Sequence, residues 1–242
     1  MRIDLFDDNI GAVEYIEHMG SDLTVVNSAR VSFDTHKEKL DDKDVKLIGY
    51  LIEHDHTSPF EHCNITFRFT VPLFIRSQHH RHRTWAYNEI SRRYTSVDLQ
   101  FYEPLEFRTQ HKSNRQASNS ELINPELGNS YKGLVPSSPY TACSAIRDHH
   151  LRSVQLYNQL LEKGICREQA RGVLPQNLYT KYYGTTNLHN LLKFISLRTH
   201  EGAQWEIQKV AMACLEIAHQ HFPKSINAWK KSNGYEHLKT LV

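Results

Sequence analysis

Long apolar runs are missing from this 242-residue chain. None approaches the roughly 18–20 residues needed to cross a bilayer, so no membrane partner is expected. Cysteine is scarce and scattered. Cys63, Cys143, Cys166 and Cys214 form no CxxC pair, which argues against a disulfide framework or a structural zinc site and suits a reducing compartment. A strong charge of either sign is lacking too. With 29 Lys and Arg against 27 Asp and Glu, the formal charge is only +2, too little for a protein that coats nucleic acid. The opening MRIDLFDDNIGAVEY places acids where a secretion signal would have an apolar core. The expected location is the cytoplasm, or a host's cytoplasm if the source is a phage or virus. What is present, 39% hydrophobic and 23% charged residues, belongs to a globular protein long enough to bury a substantial core.

Helical and extended patterns alternate along the chain. RIDLF reads as a short strand. Residues 41–56 carry apolar side chains at 45, 48, 51 and 52 behind leading acids, the pattern of a helix with a favourable dipole. TSPFEH (57–62) reads as a turn. In HCNITFRFTVP, Cys63, Ile65, Phe67, Phe69 and Val71 alternate with polar residues, which predicts a half-buried strand. Pro72 is placed to open a helix through LFIRSQHHR. From 107 to 138 the composition turns to Ser, Asn, Gln, Gly and Pro, and a long surface insertion is expected. Ser138-Pro139 predicts the start of a helix running to Lys163, with Ile146, His150, Val154, Tyr157 and Leu161 on one face and Gly164 as its stop. REQARGVLP (167–175) predicts a short helix and YTKYYGT a strand. NLHNLLKFISLR and AQWEIQKVAMACLEIAHQHF predict two helices, the second amphipathic. With no repeat or linker, the chain reads as one α/β domain.

Positive charge is concentrated in one place. From Arg76 to Arg93 there are five arginines and three histidines against a single acid, Glu89. Guanidinium stays charged and matches phosphate oxygens with a planar fork of donors. Crowded guanidiniums repel unless an anion or facing carboxylates offset them. Trp85 and Tyr87 offer flat surfaces to a base or flavin ring, and Asn88 can pair with a heterocycle edge. Spacing alone leaves three readings open: a solvated, salt-bridged loop, a metal site at His79, His80 and His82, and a small-anion site.

RHRTWAYNEISRRY (81–94) resembles the signature of the flavin-dependent thymidylate synthases, RHRxxSxNExSxRY. Arg81, His82, Arg83, Asn88, Glu89, Ser91, Arg93 and Tyr94 match it, and Ala86 stands where the family usually has serine. ARVSF (29–33), HTSPFEH (56–62), REQARGVLPQNLYT (167–180) and FISLRTHEGAQWEIQ (194–208) resemble further family segments in the same order. FRTQHKSNRQAS, within the 107–138 insertion, resembles a variant of some members. The resemblance implies an α/β (α+β) fold with a mostly antiparallel central sheet flanked by helices. It implies conversion of dUMP to dTMP, with 5,10-methylenetetrahydrofolate as one-carbon donor and NADPH-reduced FAD as hydride donor. It also implies a homotetramer whose active sites lie at subunit interfaces.

Residue by residue, the resemblance implies that Arg81, His82, Arg83 and Thr84 lie along the flavin and its pyrophosphate. Ser58 also meets the cofactor, and Glu89 sits between flavin and nucleotide. Asn187, Leu188, His189 and Lys193 form a second flavin-contacting segment, with Lys193 where the family more often has Asn. Gln78, His79, His80, Arg81, Glu89, Ile90, Ser91, Arg92, Arg93, Arg171 and Arg198 fall at nucleotide-binding positions. Arg198 takes the catalytic role: a permanent cation against the O2/N3 edge of uracil stabilises the N3-deprotonated ring, making carbon 5 a better nucleophile. Ser91 is assigned to binding, because guanidiniums near His82 oppose the imidazolium that a serine nucleophile would require.

Plainer roles also stand for several residues. Arg167 and Arg171 with Glu168 suit surface pairs. His56 and His62 suit packing at a turn, and Glu61 suits an arginine partner. Trp205, Ile207 and Met212 suit core or interface positions. His149, His150, His219 and His221 suit surface or packing positions. A nucleotide- or RNA-binding module without redox chemistry is the rival from another class.

Overall fold

The computed structural model describes residues 1–95, 98–128 and 140–238. It divides into two compact units, Met1–Thr70 with Ser77–Glu89 and Lys181–Val242, and Val71–Arg76 with Ile90–Thr180. The strands are β1 (Arg2–Asp4), β2 (Ala12–Met19), β3 (Asn64–Pro72), β4 (Ala86–Glu89), β5 (Phe107–Gln110), β6 (Ser118–Ile123) and β7 (Tyr179–Asn187). The α-helices are α1 (Asp22–Arg30), α2 (Asp42–Glu53), α3 (Leu73–His79), α4 (Ala142–Glu162), α5 (Arg167–Ala170), α6 (Leu188–Arg198), α7 (Trp205–His221) and α8 (Pro223–Ser232).

The first unit is built on a five-stranded sheet in the order β1-β2-β3-β7-β4. β1 with β2, β2 with β3, and β4 with β7 run antiparallel. The expected alternation in β3 is present: Ile65, Phe67, Phe69 and Val71 are fully buried, while on the polar register Arg68 is exposed and Asn64 partly so. Thr66 and Thr70 on that register are nevertheless mostly enclosed. Enclosed polar groups need partners, and Thr66 Oγ1 meets Thr185 Oγ1 at 2.9 Å.

Pro72 closes β3 instead of opening the helix, which begins at Leu73. α2 starts as expected, with the Asp41 carboxylate accepting from the Lys43 and Asp44 amides. α7 departs from the amphipathic expectation. Ile207, Val210, Ala211, Ala213, Cys214, Leu215, Ile217 and Ala218 are all buried, because alanines at 211, 213 and 218 let neighbours approach almost all round it. α7 packs on β2, α6 and α8.

In the second unit the described part of the expected insertion, residues 107–128, carries regular structure. β5 and β6 pair as an antiparallel hairpin, whose tip is tied by Gln110 Nε2 donating to the Ala117 carbonyl at 3.0 Å and by His111 Nδ1 accepting from the Asn114 amide at 3.0 Å. The helix expected from Ser138-Pro139 begins later, at Ala142, capped by Thr141, whose hydroxyl accepts from the Ser144 amide. Ser138 and Pro139 lie outside the described residues. Gly164, at φ +86°, ends α4. His150 is buried in this unit, 2.8 Å from Glu103 and stacked on Phe101.

Candidate active site

In the first unit the sequence from Gln78 to Glu89 leaves α3 through a tight turn and returns as β4. Amides of Arg81 and His82 donate to the carbonyls of Gln78 and His79 at 3.3 and 2.9 Å. Trp85 anchors this loop. Its ring is 5% exposed and lies edge-on to His79 and Phe194, at 4.6 and 5.4 Å between centroids. Tyr87 is half-buried, and its hydroxyl donates to the carbonyls of His79 and His82. The expectation that Trp85 and Tyr87 offer stacking faces to a ligand is therefore corrected. Large aromatics with a polar handle gain more by fixing the loop from within.

That anchoring decides which side chains remain outside. His79 is fully buried, with Nδ1 2.8 Å from the Tyr182 hydroxyl, and burial followed by His82, His80 and Arg198 holds its pKa well below the ordinary value. His80 stacks on Tyr87 at 4.1 Å. Arg81, Arg83, Thr84, Ala86 and Glu89 are exposed. Ala86 opens β4 opposite Thr185, so the departure from the family serine leaves the strand pairing intact. Among the described residues neither Arg81 nor Arg83 forms an ion pair, which removes the solvated salt-bridge reading for this part of the cluster.

Arg198 ends α6 and is held by two acceptors. Its Nε donates to His82 Nε2 at 3.0 Å and its Nη2 to the Gln78 carbonyl at 3.1 Å. No carboxylate neutralises it among the described residues. Burial and then Arg81 lower its pKa. His82 is pulled down to about 4, by burial and then by Arg198. It is therefore a neutral acceptor at physiological pH, with its proton on Nδ1, and a poor base. Gln78 is fixed in turn, its Nε2 2.5 Å from Gln204 Oε1.

α6 supplies the second segment. Asn187 caps it, accepting from the Asn190 amide at 2.9 Å. Leu188 is buried and its amide donates to the Cys63 carbonyl at 2.8 Å. His189 is half-buried with its pKa lowered by burial and then by Lys193. A cleft of about 840 Å³ runs past Thr57, His82, His189 and Lys193. Ser58 is exposed at the start of the adjoining 3-10 turn, residues 58–62.

The second unit carries the remaining arginines. Arg92 is half-buried, and its Nη2 donates to the Asp98 and Tyr179 carbonyls at 3.3 Å each. Ser91 Oγ accepts from the Arg93 amide at 3.3 Å. Arg93 pairs with Glu168 at 3.0 Å, so the acid expected to serve Arg167 or Arg171 on its own helix instead draws the Arg93 loop to α5. Arg171, one residue past α5, is exposed, as is Ile90. Sequence reasoning missed the cleft wall around Trp229 and Tyr235, because two aromatics in a short polar stretch carry no pattern.

The arrangement has counterparts of known kind. Residues 14–224 match the family model described as Thymidylate synthase complementing protein. A flavin-dependent thymidylate synthase of Thermus thermophilus is 40% identical over 221 residues, 91% of this chain and 76% of that protein. The Thermotoga neapolitana enzyme is 38% identical over 231 residues, covering 96% and 95%. This chain belongs to the flavin-dependent thymidylate synthase family. Among solved structures, the UMP/dUMP methylase PolB from Streptomyces cacaoi bound with 5-Br dUMP is similar at TM-score 0.74 and 31% identity, covering 95% of this chain and 97% of that one. The same methylase bound with 5-Br UMP gives 0.75 and 32%.

The residues present fit the cofactor that a flavin-dependent thymidylate synthase requires. A dinucleotide brings a pyrophosphate that needs cations, and among the described residues Arg81 and Arg83 have no carboxylate partner. The cleft has the size of an ordinary small-molecule site. FAD would be held by Arg81, His82, Arg83, His189 and Lys193.

Proposed function

We propose that the chain methylates dUMP to dTMP in the cytoplasm, as a homotetramer whose active sites are shared between subunits. 5,10-Methylenetetrahydrofolate is the one-carbon donor. Bound FAD, reduced by NADPH, supplies the hydride. Arg92, Arg93 and Arg171 bind the nucleotide phosphate, with Gln78, Ser91 and the backbone around His79, His80 and Ile90 as further contacts. Arg81 serves both ligands, and Glu89 sits between them.

Arg198 carries the chemistry that the protein itself provides. Its guanidinium is set against the O2/N3 edge of uracil and stabilises the ring after loss of the N3 proton. What supports this reading is the pair of hydrogen bonds to His82 and the Gln78 carbonyl. They aim the fork in advance, and among the described residues Nη1 makes no hydrogen bond, so little reorganisation is needed as charge develops. Ser91 binds and does not attack, because the depressed pKa of His82 makes that imidazole an inept proton acceptor.

Arg198→Ala should purify yellow with its flavin, while kcat/KM for dUMP falls about 10²–10³-fold. Wild-type turnover in that variant would remove Arg198 from its role. Because PolB is a methylase of both UMP and dUMP, UMP belongs in the same assay. Faster methylation of UMP than of dUMP would overturn the assigned substrate.

A further inference from the structure

The cleft of the first unit has a wall formed after residue 224, where the family match ends. α8 and the turn that follows fold back on themselves. The Tyr235 amide donates to the Lys230 carbonyl at 2.8 Å, Asn233 Nδ2 to the Trp229 carbonyl at 3.0 Å, and Lys230 Nζ to the Leu238 carbonyl at 3.0 Å. The Tyr235 ring lies 5.0 Å from that of Trp229. Its hydroxyl is 3.1 Å from Ser196 Oγ on α6. Trp229 and Tyr235 both line the cleft that His82, His189 and Lys193 share.

One stripe of α6 runs along the same space. His189, Lys193, Ser196 and Leu197 of α6 line it, with His200 just past the helix end; 189, 193 and either 196 or 197 are three or four residues apart and so share one helical face. Polar residues occupy most of that stripe. Leu197 breaks the pattern, 59% exposed in a cleft that Trp229 and Tyr235 also line. An exposed apolar side chain and an aromatic ring lining one cleft, the ring held to the neighbouring Ser196, make a place for a flat ring whose faces are apolar and whose edges are polar.

We propose that Leu197 and Tyr235 form the apolar wall against which the isoalloxazine ring of the flavin packs, and that the Ser196–Tyr235 hydrogen bond holds this wall in place. The proposal rests on the flavin-dependent reading above. Tyr235 is thus a ligand-contacting and positioning residue that the family motifs do not include. The ring at this wall shares its cleft with His82, the residue that holds Arg198.

The test is titration of flavin-stripped full-length protein with FAD, followed by flavin fluorescence and by visible circular dichroism at saturation. Leu197→Gln, a change at an exposed helical position, should raise the FAD Kd about fivefold, and Tyr235→Ala about tenfold. Tyr235→Phe keeps the ring but loses the bond to Ser196, and should raise the Kd about threefold, between wild type and Tyr235→Ala. The visible dichroism of the bound flavin should change in the first two variants, because that band belongs to the isoalloxazine. An unchanged Kd in both Leu197→Gln and Tyr235→Ala, with thermal unfolding confirming folded protein, overturns the proposal. A weakened Kd with an unaltered visible band overturns it as well, placing another part of the cofactor at this wall. Failure of the wild-type protein to bind FAD would instead sink the flavin-dependent reading beneath it.

Discussion

At Arg198 and His82, one hydrogen bond joins a permanent cation to an imidazole that stays neutral. The folded pKa of His82 is about 4, below its ordinary value of 6.5, and His79 is depressed in the same direction by burial. Between those values the unfolded chain binds protons that the folded chain refuses, so stability falls as pH drops from about 6.5 towards 4. Urea midpoints measured across that range should decline, and His82→Gln should decline less steeply. Asp44 adds a second, more acidic limb. Burial would raise this carboxyl, but Lys37, the Asp41 amide and Arg30 outweigh it and bring the pKa to about 2. Its contribution is complete above the usual 3.8 and is lost as pH falls through 2. The carboxylate is wholly enclosed and meets Arg30 at 2.7 Å and Lys37 at 2.6 Å. Asp44→Ala should cost about 2–3 kcal/mol in urea unfolding, since it strands two partly exposed cations around a buried gap. Within the basic run, the sequence revealed which arginines to suspect. It could not reveal that Trp85 turns inward, because inward and outward aromatics look alike until the sheet that receives them is known.

Elements built on strong periodicity were legible before any coordinates. β3, α2 and α6 lie where alternation and helical stripes place them. β2, α1, β4 and α8 gave no comparable signal. α8 has only Ile226, Trp229 and one serine buried, and β4 is a four-residue edge. Tertiary neighbours define such elements more than their own residues do. Gly184 illustrates this in β7. A Cβ there would sit 2.8 Å from Phe69 Cε2 and 3.3 Å from Trp85, and Phe69 is already stacked on Tyr182 at 5.0 Å. Gly184→Ala should therefore destabilise by about 1–3 kcal/mol through overpacking, with a lowered melting temperature as the readout. At the start of α4, Thr141→Ala removes the cap and should cost about 1 kcal/mol in the same measurement.

For the whole molecule, the decisive fact is connectivity. The chain passes from one compact unit to the other after Thr70, Arg76, Glu89 and Thr180, so neither unit is a continuous stretch. The single-domain reading accordingly predicts one cooperative calorimetric transition, and two resolved transitions would refute it. The proposed homotetramer predicts sedimentation at four times the mass of one chain, and exposed Val31, Phe33 and Leu151 are the kind of apolar surface that association covers; a monomer in that measurement would refute it. The strand order has a further consequence during synthesis. β7 lies between β3 and β4 but is not complete until Asn187 has left the ribosome. Until then one side of β3, with its phenylalanines, has no neighbouring strand, and a nascent chain stalled short of that point offers a sticky ribbon to other nascent chains. Chaperone dependence in the cell should thus follow how quickly translation crosses the stretch from β4 to β7.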